Sequence, residues 1–349
     1  MKYEQLPDFI KFLQKTYKIF APQQKEDKIF IDELNNINKL ILGNQLPEYS
    51  FKRFFVPECE KLFDYKNKKL LEEKRGNGEK TALLGLNILD LKAVLLYDLV
   101  FIDDYYYQQR RKNILIIAHD VVPEDKNNLS KMKFSGEILD NFPYDIFLTK
   151  DQSQKLKYEE SKDYKIVAGS PQGKEILNKF GYGNYLDKSM RTITKPSPNE
   201  MVQKIKEVML SNKHPEIWEE LGKKCIECGK CTLVCPTCFC FRIDDQPSLE
   251  PTVGQRTRCW DSCFYQEFSE ISGGFKFLKT TAQRIHYWYM HKFGRIPEEY
   301  GMTGCVGCHR CAQVCPAGID IEEIIKKLTR QVTEVTPIPE TISVKKTSQ

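Results

Sequence analysis

The sequence predicts an α+β chain: an N-terminal mixed α/β domain over residues 1–200, a mostly α-helical, cysteine-rich domain over 201–335, and a flexible tail over 336–349. Three observations carry this reading. Short runs of branched and aromatic residues alternate with helical periodicity before residue 200. Twelve of the 13 cysteines lie after residue 224. Pro196 and Pro198 punctuate the join between the two regions.

A chain of 349 residues is long enough for two cores, and 41% hydrophobic with 29% charged residues is the balance of a globular protein. In order, residues 7–15 have helical spacing, and strand-like runs at 17–21 and 28–32 flank a turn at 23–27. Further strands are expected at 51–56, 81–86, 114–118, 145–149 and 164–168, with helices at 89–100 and 173–180. Helices at 200–210 and 215–224 lead into the first cysteine group, and 276–291 again has helical period. From Thr336 onward two prolines and several Ser and Thr residues replace any apolar period, which predicts the tail.

The 53 basic and 48 acidic side chains leave a net charge of +5 that is dispersed along the chain, which argues against a dedicated nucleic-acid binder. The run Tyr105, Tyr106, Tyr107, Arg110 and Arg111 reads as the end of an amphipathic helix and not as a base-stacking platform. The most apolar stretch, 81–102, contains Asp90, Lys92 and Asp98 and should not span a membrane. The first residues lack a basic segment followed by an apolar core, so the expected location is cytoplasmic. In that compartment cysteines bind metal more often than they form disulfides. Cys59 stands apart from the others and reads as an incidental packing thiol.

Cys225, Cys228, Cys231 and Cys235, followed by Pro236, have the spacing C-x2-C-x2-C-x3-C-P, and Cys305, Cys308, Cys311 and Cys315, followed by Pro316, repeat it. Three thiolates two residues apart wrap a short loop around one face of an iron-sulfur cubane, and in two-cluster proteins the fourth reaches across to the other cluster. The expected cofactors are therefore two [4Fe-4S] clusters, one on Cys225, Cys228, Cys231 and Cys315, the other on Cys305, Cys308, Cys311 and Cys235. Zinc would more usually take two C-x2-C pairs separated by a longer loop. About seventy residues separate Cys235 from Cys305, which points to a helical dicluster domain and not a compact ferredoxin. Cys238, Cys240, Cys259 and Cys263 remain, either as a third metal or thiol site or as packing beside the clusters, and packing is the expectation.

Other signals carry less. Gly76, Gly78, Lys80 and Thr81 lack the full spacing of a phosphate loop and read as a turn before a strand. Gly181 and Gly183 form no dinucleotide fingerprint, so no flavin or nicotinamide site is expected. His119 and Asp120 close a strand, where a histidine is usually structural. Lys230 and Arg310 each precede a motif cysteine. If they pointed inward they would stabilise a reduced cluster, but the expectation is that both face outward toward an acidic partner.

The string from Cys225 to Cys240, then Trp260-Asp261-Ser262-Cys263, Ser272-Gly273-Gly274-Phe275, Arg284, His291-Lys292-Phe293 and the second motif, resembles the beta subunit of cytoplasmic sulfhydrogenases, and the corresponding iron-sulfur subunit of anaerobic sulfite reductases is similar. The match covers roughly residues 214–320. Before it, only Tyr17 to Pro22 and Asp104 to Tyr107 correspond in outline. The resemblance implies a non-catalytic relay between a flavin subunit that handles NAD(P)H and a catalytic hydrogenase or reductase subunit, with the N-terminal domain as a docking surface. Members of the family often carry further cysteines in that domain for another cluster, where this chain has Leu89 and Asp120. The alternative is a heterodisulfide-reductase-like enzyme acting through Cys238, Cys240, Cys259 and Cys263, and a zinc-bound interaction module is a third reading.

Overall fold

In the computed structural model the described residues are 1–43, 45–67, 69–71, 79–119, 138–150, 163–193, 200–211, 215–250 and 252–335. The turn at Gly76, Asp120 and the tail from Thr336 lie outside them. The strands are β1 (Lys18–Lys25), β2 (Lys28–Glu33), β3 (Cys59–Lys66), β4 (Lys69–Leu71), β5 (Thr81–Leu86), β6 (Ile114–His119), β7 (Ile146–Lys150), β8 (Tyr164–Ala168), β9 (Tyr185–Asp187), β10 (Phe241–Pro247) and β11 (Val253–Trp260). The helices of the first half are α1 (Leu6–Gln14), α2 (Lys52–Phe55), α3 (Ile88–Val100), α4 (Tyr105–Lys112), α5 (Ile138–Asn141) and α6 (Pro171–Lys179). The second half holds α7 (Glu200–Ser211), α8 (Pro215–Lys224), α9 (Lys230–Leu233), α10 (Thr281–Met290), α11 (Ile296–Tyr300), α12 (Arg310–Gln313) and α13 (Ile321–Val335).

Seven strands form one sheet in the order β2-β1-β5-β6-β7-β8-β9, parallel through β1, β5, β6 and β7. The unbroken apolar run of β6 follows from cover on both faces. Ile116 and Ala118 pack on one side with Leu83, Phe147 and α3, while Leu115 and Ile117 pack on the other with Leu84, Leu148 and residues of α1 and α6. The predicted strand at 51–56 is instead the helix α2, whose Phe55 is buried along with the preceding Phe51, and whose Arg53 donates to the Ile31 carbonyl at 2.6 Å. Tertiary packing overrides strand propensity there. The apolar stretch that begins at Thr81 is β5 followed by α3, and no described helix is long and apolar enough to cross a membrane.

A second sheet, β10-β11-β3-β4, joins the two halves, because the hairpin β10–β11 from between the cysteine motifs pairs with β3. The hairpin lies between the cysteine motifs, where the sequence reading named only the helical run at 276–291. Strand β10 is exposed along most of its length and β11 carries the polar run Gln255 to Arg258, so neither shows an apolar period that would mark the hairpin. Arg258 ties the sheet to α4, donating to Glu60 at 2.5 Å and to Asp104 at 2.5 Å. Arg110 and Arg111 of α4 are themselves paired, with Glu60 at 2.8 Å and Asp98 at 3.1 Å, in keeping with an amphipathic helix.

Helix α3 is the other bridge. Leu89 and Ala93 pack against Val306 and Cys308, and the Tyr97 hydroxyl donates to the Pro236 carbonyl. The α10 helix begins at Thr281, later than the helical period that starts at residue 276, because Phe275 and Lys276 form a short strand and Thr280 caps the helix by accepting from Gln283 N–H. It then widens into a π turn, His291–Arg295.

Candidate metal centres

Each motif is a loop with two left-handed residues at matching positions. In the first these are Glu227 (φ 58°) and Gly229 (φ 71°), in the second Gly307 (φ 75°) and His309 (φ 61°). A left-handed residue between thiols turns successive side chains toward one centre, and for residues other than glycine this costs on the order of 1 kcal/mol. Both such residues are anchored. Glu227 accepts from Arg284 at 2.6 Å and from Thr281 at 2.7 Å, both on α10, and His309 Nε2 lies 3.0 Å from Asp320 at the start of α13. Gly229 is required for space as well, since a Cβ there would lie 2.7 Å from the Tyr265 ring.

The thiols of the two motifs influence one another. Burial pushes Cys231 up, and the charges of Cys225, Cys235, Cys228 and Cys315 add to the shift. Burial likewise raises Cys225, with Cys315 and Cys228 adding to it. On the other side burial pushes Cys305 up to about 12, with Lys292 opposing and Cys235 reinforcing the rise. Burial raises Cys311 too, reinforced by Cys305, Cys308, Cys235 and Cys231. Cys315 lines one cavity with Cys225, Cys228 and Cys231, which Cys311 also reaches, and the charge of Cys235 acts on both loops, on Cys231 as well as on Cys305 and Cys311. Burial raises Cys225, Cys231, Cys305, Cys308 and Cys311, and a multiply charged metal centre is what would hold such thiols as thiolates.

Buried donors fit the same conclusion. Trp288 Nε1 and Tyr289 Oη have no hydrogen-bond partner, and both residues line the cavity of Cys225, Cys228, Cys231 and Cys315. Arg310 Nη1 and Nη2 are also without a hydrogen-bond partner, and Cys308 is among the charges acting on that guanidinium. Cluster sulfides and thiolates are acceptors suited to such groups.

Arg310 corrects the sequence reading. Only Lys230 of that pair is exposed, whereas Arg310 is buried, with its Nε donating to the Pro47 carbonyl at 3.0 Å and Nη1 lying 3.6 Å from Asp90. The partners come from segments some 220 to 260 residues earlier in the chain, and no local pattern reveals them. Lys292, part of the family string but given no role from sequence, is buried too. It donates to Cys235 Sγ at 3.3 Å, Thr237 Oγ1 at 3.1 Å and the Gly304 carbonyl at 2.8 Å.

The five remaining cysteines divide. Cys59 and Cys259 oppose each other across β3 and β11 and form a disulfide, contrary to the expectation that Cys59 stands alone and that disulfides are absent. Strand pairing across a sequence separation of 200 creates that contact. Cys238 hydrogen-bonds to Cys235, which lowers Cys235 and raises Cys238, and Cys263 stands in the same relation to Cys240. Cys238 and Cys263 are buried. His119 ends β6 as a buried residue of the large sheet, where a structural histidine is expected.

Residues 224–319 match the family described as a 4Fe-4S dicluster domain, so this is a dicluster iron-sulfur protein with two [4Fe-4S] clusters. The chain is also a homologue of the sulfhydrogenase beta subunit. It is 26% identical over 341 residues to sulfhydrogenase 2 subunit beta of Pyrococcus furiosus, covering 93% of this chain and 96% of that protein.

Proposed function

We propose that the chain is the electron-transfer subunit of an anaerobic, cytoplasmic oxidoreductase complex, relaying electrons between a flavin subunit that handles NAD(P)H and a catalytic hydrogenase or reductase subunit. The observation that supports this reading is that Cys315 lines the cavity of Cys225, Cys228 and Cys231, while the charge of Cys235 acts on Cys305 and Cys311 as well as on Cys231. We assign Cys225, Cys228, Cys231 and Cys315 to one cluster and Cys305, Cys308, Cys311 and Cys235 to the other. An exchange of this kind makes the two centres neighbours, as a relay requires. When bound, each cluster supplies one-electron redox chemistry. The chain's own part is to bury the thiols, donate to them from Glu227 N–H and Ile319 N–H, each 3.4 Å from a cysteine sulfur, and exclude water with Phe264, Ile285 and Trp288.

The division into a domain at 1–200 for docking and subunit assembly and a cluster domain at 201–335 belongs to the same proposal, with β3 and α3 as the contacts between them. Homology to a subunit of a named complex supports partner subunits for this chain. The reading as an independent reductase has less support. Cys259 is paired with Cys59, and the buried Cys238 and Cys263 are not in the partially exposed setting of a reactive thiol.

Anaerobic purification from the native source tests the proposal. The chain should bring down a flavin-containing subunit together with a catalytic one, and by itself it should show no hydrogenase or reductase turnover and hold no flavin. Turnover or stoichiometric flavin in the isolated chain would contradict it.

A further inference from the structure

The two thiol sets sit in different electrostatic surroundings. Around Cys235, Cys305, Cys308 and Cys311, Lys292 and Arg310 are each 2% exposed. Lys292 reaches Cys235 Sγ at 3.3 Å, and the Arg310 charge acts on Cys308. Two further lysines are buried nearby, Lys52, 3.9 Å from the Trp260 ring and interacting with Cys238 and then Cys235, and Lys92 of α3, interacting with Cys305, with burial lowering both amines. The buried carboxylate among the groups acting on these thiols and cations is Asp90, 3.6 Å from Arg310. Gly304 makes room for this arrangement, because a Cβ there would lie 2.9 Å from Lys292 Cα.

The Cys225 side has no counterpart among the described residues. Its lining by Phe264, Ile285, Trp288, Tyr289, Ile319 and Ile321 is neutral, and Lys230, which also lines it, is exposed to solvent. Glu227 is matched by Arg284 at 2.6 Å. Reduction adds one negative charge to a centre in a low-dielectric interior, so a buried cation in contact with its thiolates favours the reduced form far more than a solvated one does.

We propose that the cluster on Cys305, Cys308, Cys311 and Cys235 has the higher reduction potential, held there by Lys292 and Arg310, and that electrons run from the Cys225 side to the Cys305 side. This rests on the ligand assignment proposed above. Each transfer moves one electron. The Cys225-side centre is oxidised by one, the Cys305-side centre is reduced by one, and no bond or proton changes hands. The outside donor must therefore reduce the Cys225 side, and the outside acceptor must draw from the other.

An anaerobic redox titration of the full iron-loaded chain, followed by electron paramagnetic resonance, tests this. Wild type should show two separated midpoints. Lys292→Met should move the higher one to more negative potential, changing the reduced-to-oxidised ratio at a fixed potential by about tenfold or more, where tenfold is about 59 mV for one electron. Lys292→Arg should restore most of the shift, and Lys230→Gln should move neither midpoint. Coincident midpoints, or a Lys292→Met shift confined to the lower one, would overturn the proposal. If Lys292→Met fails to fold, Arg310→Gln provides the same reading, with the higher midpoint expected to move to more negative potential and the lower one to stay. A Cys235→Ser variant separates the ligand assignment from the role of Lys292. If it alters the higher-potential centre the ligand assignment stands and Lys292→Met alone decides the ordering, whereas if it alters the lower-potential centre Lys292, which touches Cys235 Sγ, belongs to that centre and the ordering falls with the assignment.

Discussion

The residue before Cys231 is Lys230, exposed to solvent, and the residue before Cys311 is Arg310, buried against α3. At the neighbouring left-handed position the first loop has Gly229 and the second His309, and two residues earlier the order is reversed, Glu227 against Gly307. One spacing thus serves two environments. The first loop faces an apolar lining closed by α10 and α13, and the second is pressed into the N-terminal half, where Leu89, Asp90 and Lys92 of α3 approach it. The repeat dictates where the thiols go, and the rest of the fold dictates what they feel.

Several substitutions sharpen that contrast. The largest stability effect is expected at the first loop's anchor. Arg284→Met leaves Glu227 with its main cationic partner gone from a largely buried pair and should cost about 3 kcal/mol in a chemical denaturation of the iron-loaded chain. Loss under about 1 kcal/mol would mean the loop holds its left-handed Glu227 without help.

Next comes the matched pair of left-handed positions. Gly229→Ala should cost about 1–3 kcal/mol, since it meets both a φ of 71° and the Tyr265 ring. His309→Gly should change stability by less than about 1 kcal/mol, because relief of the left-handed penalty offsets the lost contact with Asp320. Equal costs at both positions would erase the distinction between the loops.

Acid should act through His291. Burial, then the Lys292 and Arg295 charges, push this imidazole from 6.5 down to about 4. The unfolded chain therefore binds the extra proton first. Stability from this group is fully present above about pH 6.5 and is lost as pH falls toward about 4. A His291→Gln variant should flatten that part of the stability profile, and an unchanged profile would remove His291 as its source.

The smallest effect is expected at the remaining cysteines. The iron-loaded chain should contain about eight iron atoms, two cubanes' worth, and a Cys238→Ser and Cys263→Ser double variant should leave that number unchanged. About twelve atoms falling to about eight in the double variant would place a third cluster there.

Much of this is legible in the sequence. The eight motif cysteines, β5 and β6, α3, α8 and the helical period of α10 are all short-range patterns, and the structure has each of these elements within a few residues of its predicted bounds. What escapes depends on distant partners. Arg310 is buried by Pro47 and Asp90, Cys59 meets Cys259 through sheet pairing, Lys292 reaches Cys235 across a π turn, and the short run at 51–56 is helical because Phe51 and Phe55 enter the sheet core. Leu89 shows the same limit from the other side. Its departure from the family pattern is visible in the sequence, but its packing against Cys308 is not.

The relay geometry turns on the exchange of fourth ligands, and electron paramagnetic resonance of anaerobically prepared Cys315→Ser tests it most directly. The signal of the cluster on Cys225, Cys228 and Cys231 should be lost or altered, with the other cluster intact and still responsive to Lys292→Met. If instead only the cluster of Cys305, Cys308 and Cys311 changes, the ligands do not cross, and both the relay geometry and the ordering of potentials built on it are wrong.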